Sequence, residues 1–287
     1  MVTTTELKKT ESFDIGQILE CGQCFRFTKI EDSHYKIIAH DRVMMIKQTA
    51  DKVSFSCTND EFQSIWSDYF DLNRDYDAIK SLIAANDRIM QVAIKHAPGI
   101  RILKQDFWEM VISFIISQNN RIPMIKKVIE NICERYGDEI EGGFSFPSVE
   151  QMSGASVESL MELKTGFRAK YIIDAIQKRN DGHLDEKIIS GMTTDEIKDR
   201  LTTVKGIGDK VAHCIMMMGL GRMDVFPTDV WIKRIISELY FSGADVPLKE
   251  IQSFARDKWG DNAGIAQQYL FHYARLEKIG TTPQRKS

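Results

Sequence analysis

LTTVKGIGDKVAHCIMMMGLGRMDVFPTDVW, residues 201–231, decides how this chain is read. The residues before and at its start, TDEIKDRL, carry apolar positions at helical spacing, and DKVAHCIMMMGL reads as a second helix ended by Gly219 or Gly221. KGIGD between them is a tight turn, where glycines tolerate positive φ. The unit is a helix–hairpin–helix. Its turn offers backbone N–H groups and the second helix offers the positive end of its dipole, so Gly206 and Gly208 are placed to hold a phosphate. The spacing is not that of a GxxxxGK[ST] nucleotide loop. The bland alternative, a plain connection between two helices, stays open for a GxG turn.

Lys210 stands in the first turn of the second helix, where the dipole disfavours a cation. Cys214 lies four residues on and shares its face. A lysine amine titrates near ~10.4, and bringing it to neutrality costs ~4.6 kcal/mol. The dipole supplies ~0.3–2 kcal/mol of that. Burial has to supply the rest, so a nucleophilic Lys210 is expected to be half-buried with a lowered pKa. Asp229 begins the next helix, FPTDVWIKRIISELY. A carboxylate beside an amine suits a cationic, sugar-like transition state: the carboxylate stabilises the oxocarbenium and the amine attacks C1′ to form a Schiff base. The bland readings are a snorkelling surface lysine and an ordinary helix N-cap.

The chain has 287 residues, enough for one large or two moderate domains with a sizeable core. Its 43% apolar and 28% charged content are those of a soluble globular protein. No run of about 18 apolar residues spans a membrane, and MVTTTELKKTESF lacks the apolar stretch of a secretory signal. Five scattered cysteines fit free thiols in a reducing compartment, cytoplasmic or nuclear. A net charge of −3, taken alone, argues against a nucleic-acid partner.

Residues 25–30, 35–40, 42–47 and 52–57 read as short strands of an antiparallel meander. From Asp60 onward the spacing is helical, with Asp106 and Thr194 as N-caps and Gly137 as a stop. The expected fold class is α+β: an N-terminal antiparallel β-sheet domain with flanking helices, residues 1–100, then a mostly helical helix–hairpin–helix domain, residues 101–287. The change falls somewhere between Asp60 and Lys104.

The 201–231 stretch resembles the helix–hairpin–helix, Gly/Pro-rich loop and aspartate signature of the DNA base-excision glycosylases. More closely, the chain resembles the 8-oxoguanine DNA glycosylases over most of its length. CGQCFRF (21–27) is similar to their GQ-x-FRW motif, SQNNRI (117–122) to their Asn-rich loop, GFRAKY (166–171) to GYRARY, and GIAQQYLF (264–271) to their GWAQ…LF helix. The resemblance implies an enzyme that excises 8-oxoguanine and then cleaves the strand by β-elimination. It implies Lys210 as nucleophile and Asp229 as catalytic carboxylate. Gly22 would offer the carbonyl that reads the N7–H of 8-oxoguanine, Gln267 would read the Watson–Crick edge, and Cys214 and Phe271 would sandwich the flipped base. Asn119 would fill the hole in the duplex, Phe167 would be the wedge, and Arg168 would read the estranged cytosine. Gly206 and Gly208 would meet the backbone, with Trp231 donating its indole N–H to a phosphate.

Three positions depart from the animal and yeast pattern. Trp231 replaces the family's histidine that contacts a phosphate, and its indole N–H can donate one bond but adds no charge. Arg121 replaces a third asparagine, and Met124 replaces the arginine that contacts the opposite base. Met124 cannot hydrogen-bond a cytosine edge, which weakens the expected preference for cytosine. Lys205, Lys210, Arg168, Lys170, Arg121, Lys126, Lys127, Lys233 and Arg234 fall in or beside the DNA-facing segments, so a basic face on an acidic body is expected.

Other readings stand beside this one. Phe271 and Cys214 are equally core residues, Gln267 a surface polar residue, Asn119 and Asn120 a helix C-cap, and CGQC a redox pair or half a zinc site. No second CxxC accompanies that pair, and no cysteine after Cys214 exists to hold an iron–sulfur cluster. The same scaffold serves alkylpurine or thymine-glycol excision, and a hairpin also serves a non-catalytic DNA-binding module. No dissociable cofactor or metal is expected to be required, although carbonyls of the hairpin turn suit a cation. The expected partner is double-stranded DNA containing 8-oxoguanine, met by a monomer in the cytoplasm at the nucleoid or in the nucleus.

Overall fold

A computed structural model describes residues 3–280. Five strands form one antiparallel sheet: β1 (Thr5–Lys8), β2 (Phe27–Glu31), β3 (His34–Ala39), β4 (Arg42–Gln48) and β5 (Lys52–Phe55), in the order β1-β5-β4-β3-β2. Strict alternation in β3 and β4 drives Tyr35, Ile37, Ala39, Met44 and Ile46 to one face. The register pairs Tyr35 with Ile46 and Ile46 with Phe55, so the apolar side chains form a continuous layer. It packs on Phe13, Ile15, Ile18, Leu19, Trp66, Tyr69 and Phe70.

Two elements of this lobe escape the sequence pattern. TELK forms the edge strand β1 through pairing with β5, although it buries no side chain fully. The helix Ile15–Glu20 is short and is started by Asp14, whose carboxylate accepts the Gln17 N–H at 2.9 Å. Conversely, Phe25 and Arg26, expected in a strand, precede β2.

The second lobe is helical apart from a small hairpin, β6 (Glu139–Ile140) with β7 (Gly143–Phe144), that the sequence pattern also misses. At its centre lies the helix Phe107–Ser117, apolar on all sides and almost wholly buried. Asp106 caps it, accepting the Glu109 N–H at 2.8 Å. Gly137 ends the helix Ile122–Tyr136. Thr193, not Thr194, caps the helix Thr194–Thr202. Its hydroxyl and the Glu196 carboxylate form a reciprocal capping box, which the neighbouring threonine in TTDE obscured.

Core membership changes between Leu72 and Tyr76. The helices Tyr76–Ile83 and Arg88–His96 bury Tyr76, Ile83, Met90 and Ala93 in the helical lobe's core. The sequence after His96 then runs along the seam. Leu103 packs into the sheet's core, and Ile100 and Ile102 into the helical one.

Two buried polar side chains tie this seam. Arg101 donates to the carbonyls of Phe70, Ser12 and Arg74, each at 3.0 Å, and stacks over the Tyr76 ring at 4.1 Å. Gln23, fully buried, donates to Ile18 O at 2.9 Å and Arg101 O at 2.7 Å and accepts the Leu103 N–H at 2.8 Å. Its own carbonyl accepts from the Gln105 amide at 2.8 Å. Gln23→Ala removes three buried hydrogen bonds and is expected to cost about 3 kcal/mol. Urea unfolding should show a lower midpoint at unchanged slope; a shift equivalent to less than ~1 kcal/mol would show that the amide is not a structural tie.

Candidate active site

The hairpin turn closes because Gly206 adopts φ +82°, with a Cβ there falling 2.3 Å from the Tyr171 ring. Gly208 has no positive φ. It caps the helix Asp209–Gly219 without a side chain, and nothing stands within 4 Å of where its Cβ would be. The turn is therefore pinned at one glycine and open at the other, leaving bare backbone at a helix N-terminus.

The helix Asp209–Gly219 packs against Phe107–Ser117, and Gly219 allows close approach, a Cβ there lying 3.2 Å from the Phe107 Cα. This puts the half-buried Lys210 amine 5.9 Å from the Phe114 ring centre and the buried Cys214 on the same face. Asp229 caps the helix Val230–Tyr240: its Oδ1 accepts the N–H groups of Trp231 at 3.0 Å and Ile232 at 2.8 Å. Asp229 is thus an N-cap and also part of the site. The cap fixes the carboxylate, and its other face lines the same cavity as Lys210.

That cavity, about 120 Å³, brings together Lys210, Asp229, Cys214, Gly22, Gln267 and Phe271, six side chains or backbones drawn from four separate parts of the chain. Gly22 reaches it with φ +93°, a backbone that strains any residue with a Cβ. Gln267 is buried with its amide oxygen unpaired, an unmet polar group facing a cavity. Phe271 is half-buried at one wall and packs edge-on to Trp231 with ring centres 4.9 Å apart.

Residues not foreseen from sequence complete the lining: Phe114, Met217, Met218, Pro227, Ile232 and Gln268. Gln268 donates to Cys21 O at 3.1 Å and so holds the loop carrying Gly22. Its adjacency to Gln267 hid it, since neighbours on a helix face different ways.

The lysine's electrostatics differ from the expectation. The Cys214 sulfur raises the Lys210 pKa most, burial opposes it, and Asp229 raises it further. The ammonium is favoured, not the free amine. Burial raises the Cys214 thiol itself, and the neighbouring Lys210 ammonium opposes that rise.

The remaining expected residues divide. Asn119 is exposed at φ +48°, Phe167 is 53% exposed, and Met124 is 45% exposed. These three project outward. Asn120 closes the preceding helix by donating to Ile116 O at 3.2 Å. Arg168 is turned inward and 8% exposed. Its guanidinium donates to Gln118 O at 2.9 Å, Asn119 O at 3.1 Å and Thr165 O at 3.3 Å, and lies 4.5 Å over the Phe167 ring. In this conformation it fastens the Asn119 loop and is not presented to an opposite base. Trp231 spends its indole N–H on Ile279 O at 3.1 Å, so it backs Phe271 and has no donor left for a phosphate.

The basic face is thinner than the sequence suggests. Lys205 pairs with Asp174 at 3.4 Å, Lys127 with Glu130 at 3.3 Å and Lys233 with Asp245 at 2.6 Å. Arg121, Lys170 and Arg234 are exposed. CGQC is neither a disulfide nor a metal half-site. Cys21 and Cys24 are buried free thiols. Among the described residues no group of three or more His, Cys, Asp or Glu stands close enough to hold a metal ion, and no helix is long and apolar enough to cross a membrane.

The chain is similar to known proteins in sequence and in fold. Residues 6–111 match the 8-oxoguanine DNA glycosylase N-terminal domain, and residues 112–260 match the HhH-GPD superfamily base excision DNA repair protein family. A solved structure of MBOgg1 in complex with a low-affinity DNA ligand superposes with a TM-score of 0.91 at 44% identity, covering 96% of both chains. The Clostridium acetobutylicum 8-oxoguanine glycosylase/lyase, in complex with double-stranded DNA containing cytosine opposite 8-oxoG, gives a TM-score of 0.89 at 38% identity. That match covers 97% of this chain and 100% of the other. The Saccharomyces cerevisiae N-glycosylase/DNA lyase is 32% identical over 211 residues, 60% of this chain and 56% of the yeast protein's length. The chain belongs to the HhH-GPD superfamily of base excision DNA repair proteins and carries in front of it the N-terminal domain of the 8-oxoguanine DNA glycosylases.

Proposed function

We propose that this protein is a DNA N-glycosylase and abasic-site lyase that removes 8-oxoguanine from duplex DNA. The observation that carries the reading is the convergence of Lys210 and Asp229, from two helices, on one cavity that also holds Gly22, the unpaired amide of Gln267, Cys214 and Phe271. A flipped base would lie between Cys214 and Phe271, with the Gly22 carbonyl and the Gln267 amide supplying its polar contacts. At about 120 Å³ the cavity is below the ~300 Å³ where ligand sites begin. Entry of a purine therefore requires a wall to move, and Phe271 is the half-exposed aromatic one.

In the reaction, the neutral Lys210 amine attacks C1′ as the glycosidic bond breaks and its electron pair leaves with the base. Asp229 stabilises the positive charge that builds on the sugar. Breaking of the C1′–O4′ bond, with O4′ taking up a proton, then opens the sugar to an imine that acidifies the C2′ hydrogens, and β-elimination expels the 3′ phosphate. Because Cys214 and Asp229 favour the ammonium, a proton has to leave Lys210 before attack. No dissociable cofactor enters this scheme. A cation at the hairpin turn would be held by its backbone carbonyls and would add positive charge beside the DNA backbone. The place of action is wherever the DNA is, nucleoid or nucleus.

Around the gap in the duplex, Asn119 and Phe167 are the exposed fillers. Arg168 holds the Asn119 loop from behind, and Met124 faces the opposite base without a hydrogen-bonding group. The duplex is gripped chiefly by bare backbone at the hairpin, with Arg121, Lys170 and Arg234 adding charge.

Borohydride trapping tests the reading. A covalent adduct is expected on a duplex with 8-oxoguanine opposite cytosine and absent on matched guanine, thymine-glycol and alkylpurine duplexes. Lys210→Gln should abolish it while retaining lesion binding. An adduct on another lesion would move the substrate, and an adduct in Lys210→Gln would remove the assigned nucleophile.

Two further outcomes follow from the geometry. Met124→Arg should raise the ratio of excision opposite cytosine to excision opposite adenine by about 5- to 10-fold, the worth of one bidentate base contact at the low end of its range. An unchanged ratio would mean that Met124 does not reach the opposite base. Asp229 raises the Lys210 pKa, so Asp229→Asn should move that titration to lower pH. NMR of a ¹³C-methylated lysine reads this directly, and a shift to higher pH would contradict the placement of the carboxylate.

A further inference from the structure

A second cavity lies between the edge of the sheet and the helix Ile122–Tyr136, with the β6–β7 hairpin closing one side. It is about 370 Å³, three times the size of the base pocket and within the ~300–1,000 Å³ of small-molecule sites. The two cavities share no lining residue. Glycines shape the near wall: Gly142 has φ +88°, and a Cβ on Gly143 would lie 2.7 Å from Ile38.

Four cations, Arg26, Lys29, Lys36 and Lys126, face this space against a single carboxylate, Glu130. Glu130 is already engaged by Lys127, Arg26 by Glu109 at 3.5 Å, and Lys29 by Glu20 and Asp32 at 3.4 and 3.1 Å. Lys36 and Lys126 take no ion pair among the described residues. Lys36 donates to Gly142 O at 2.9 Å. Lys126 is half-buried, with its amine 3.5 Å from the Phe27 ring centre. A half-buried ammonium set on a ring, with no carboxylate in ion-pair reach among the described residues, is poorly compensated, and burial lowers its pKa. The other walls are aromatic or apolar: Phe25, Phe27, Phe144 and the neutral Cys133 thiol, pushed up to about 12 by burial.

Two charges wanting an anion, set beside flat apolar walls, ask for one molecule with both properties. We propose that this cavity binds a small aromatic anion of the purine nucleoside monophosphate class, its phosphate held by Lys36 and Lys126 and its base against Phe25, Phe27 and Phe144. Neither the hairpin nor the base pocket contributes a residue to it.

Calorimetric titration of the full chain with adenosine 5′-monophosphate tests this, with adenosine and inorganic phosphate as component probes. The nucleotide should bind, and each component should bind at least about 10-fold more weakly, because each lacks one half of the site. Lys126→Met, which keeps the packing stem, and Lys36→Gln, on the half-exposed edge, should each weaken nucleotide binding by about 10-fold, the loss of one charge-assisted contact. Lys210→Gln should leave it unchanged. The melting temperature reports whether each variant is folded, and if Lys126→Met is not, Lys36→Gln decides alone. No nucleotide binding, phosphate binding as tightly as the nucleotide, or loss of binding in Lys210→Gln would overturn the proposal. So would nucleotide binding unchanged in the folded lysine variants with a weaker affinity for duplex, which would assign these lysines to the DNA backbone.

Discussion

The site depends on the packing of Asp209–Gly219 against Phe107–Ser117. The central helix is apolar on every side, so whatever lies against it is buried. Gly219 lets the two backbones approach at the far end. At the near end the hairpin turn opens the helix to solvent, and Lys210 falls where burial meets bare backbone. A lysine one turn deeper would be wholly buried, and one in the turn itself would be an ordinary surface cation. The same contact places Cys214 and Met217 along the cavity wall. The position of Lys210 and this wall of the pocket are therefore one consequence of one helix–helix contact.

The other half of the pocket comes from the sheet lobe, through a loop that would be free without Gln23. That side chain threads the loop onto the seam at Arg101 and Leu103, while Gln268 holds the Cys21 carbonyl from the helical side. Gly22 sits between these two anchors with a backbone only glycine tolerates well. Its carbonyl direction is thus set by both lobes together. Trp231 does comparable work for Phe271: its indole N–H is spent on Ile279 O, and its ring backs the aromatic wall.

Much of this was legible in the sequence. Lys210 and Cys214 share a helix face by their spacing after a Gly-x-Gly turn, Asp229 reads as the start of the next helix, the four strands of the meander read from β-branched and aromatic runs between polar turns, and Gly22, Gln267 and Phe271 enter only through the resemblance to the 8-oxoguanine glycosylases. What was not legible has identifiable physical causes. β1 is a polar tetrapeptide that becomes a strand only because β5 offers an edge. Thr193 and Thr194 are interchangeable in sequence, and Glu196 chooses between them. The Lys210 pKa was judged from burial and dipole, whereas the thiol one turn on and the carboxylate from another helix reverse the sign. Arg168 and Trp231 have free donors as residue types, but the fold commits those donors to carbonyls that no linear pattern reveals.

The central claim is that one amine, on the residue opening this helix, forms the covalent bond to DNA. Mass spectrometry of the proteolysed, borohydride-reduced adduct tests it most directly. The account predicts that the deoxyribose-derived mass is carried by the peptide containing Lys210, on that side chain alone. A modification at the N-terminal amine or at any other lysine, with Lys210 unmodified, would contradict it.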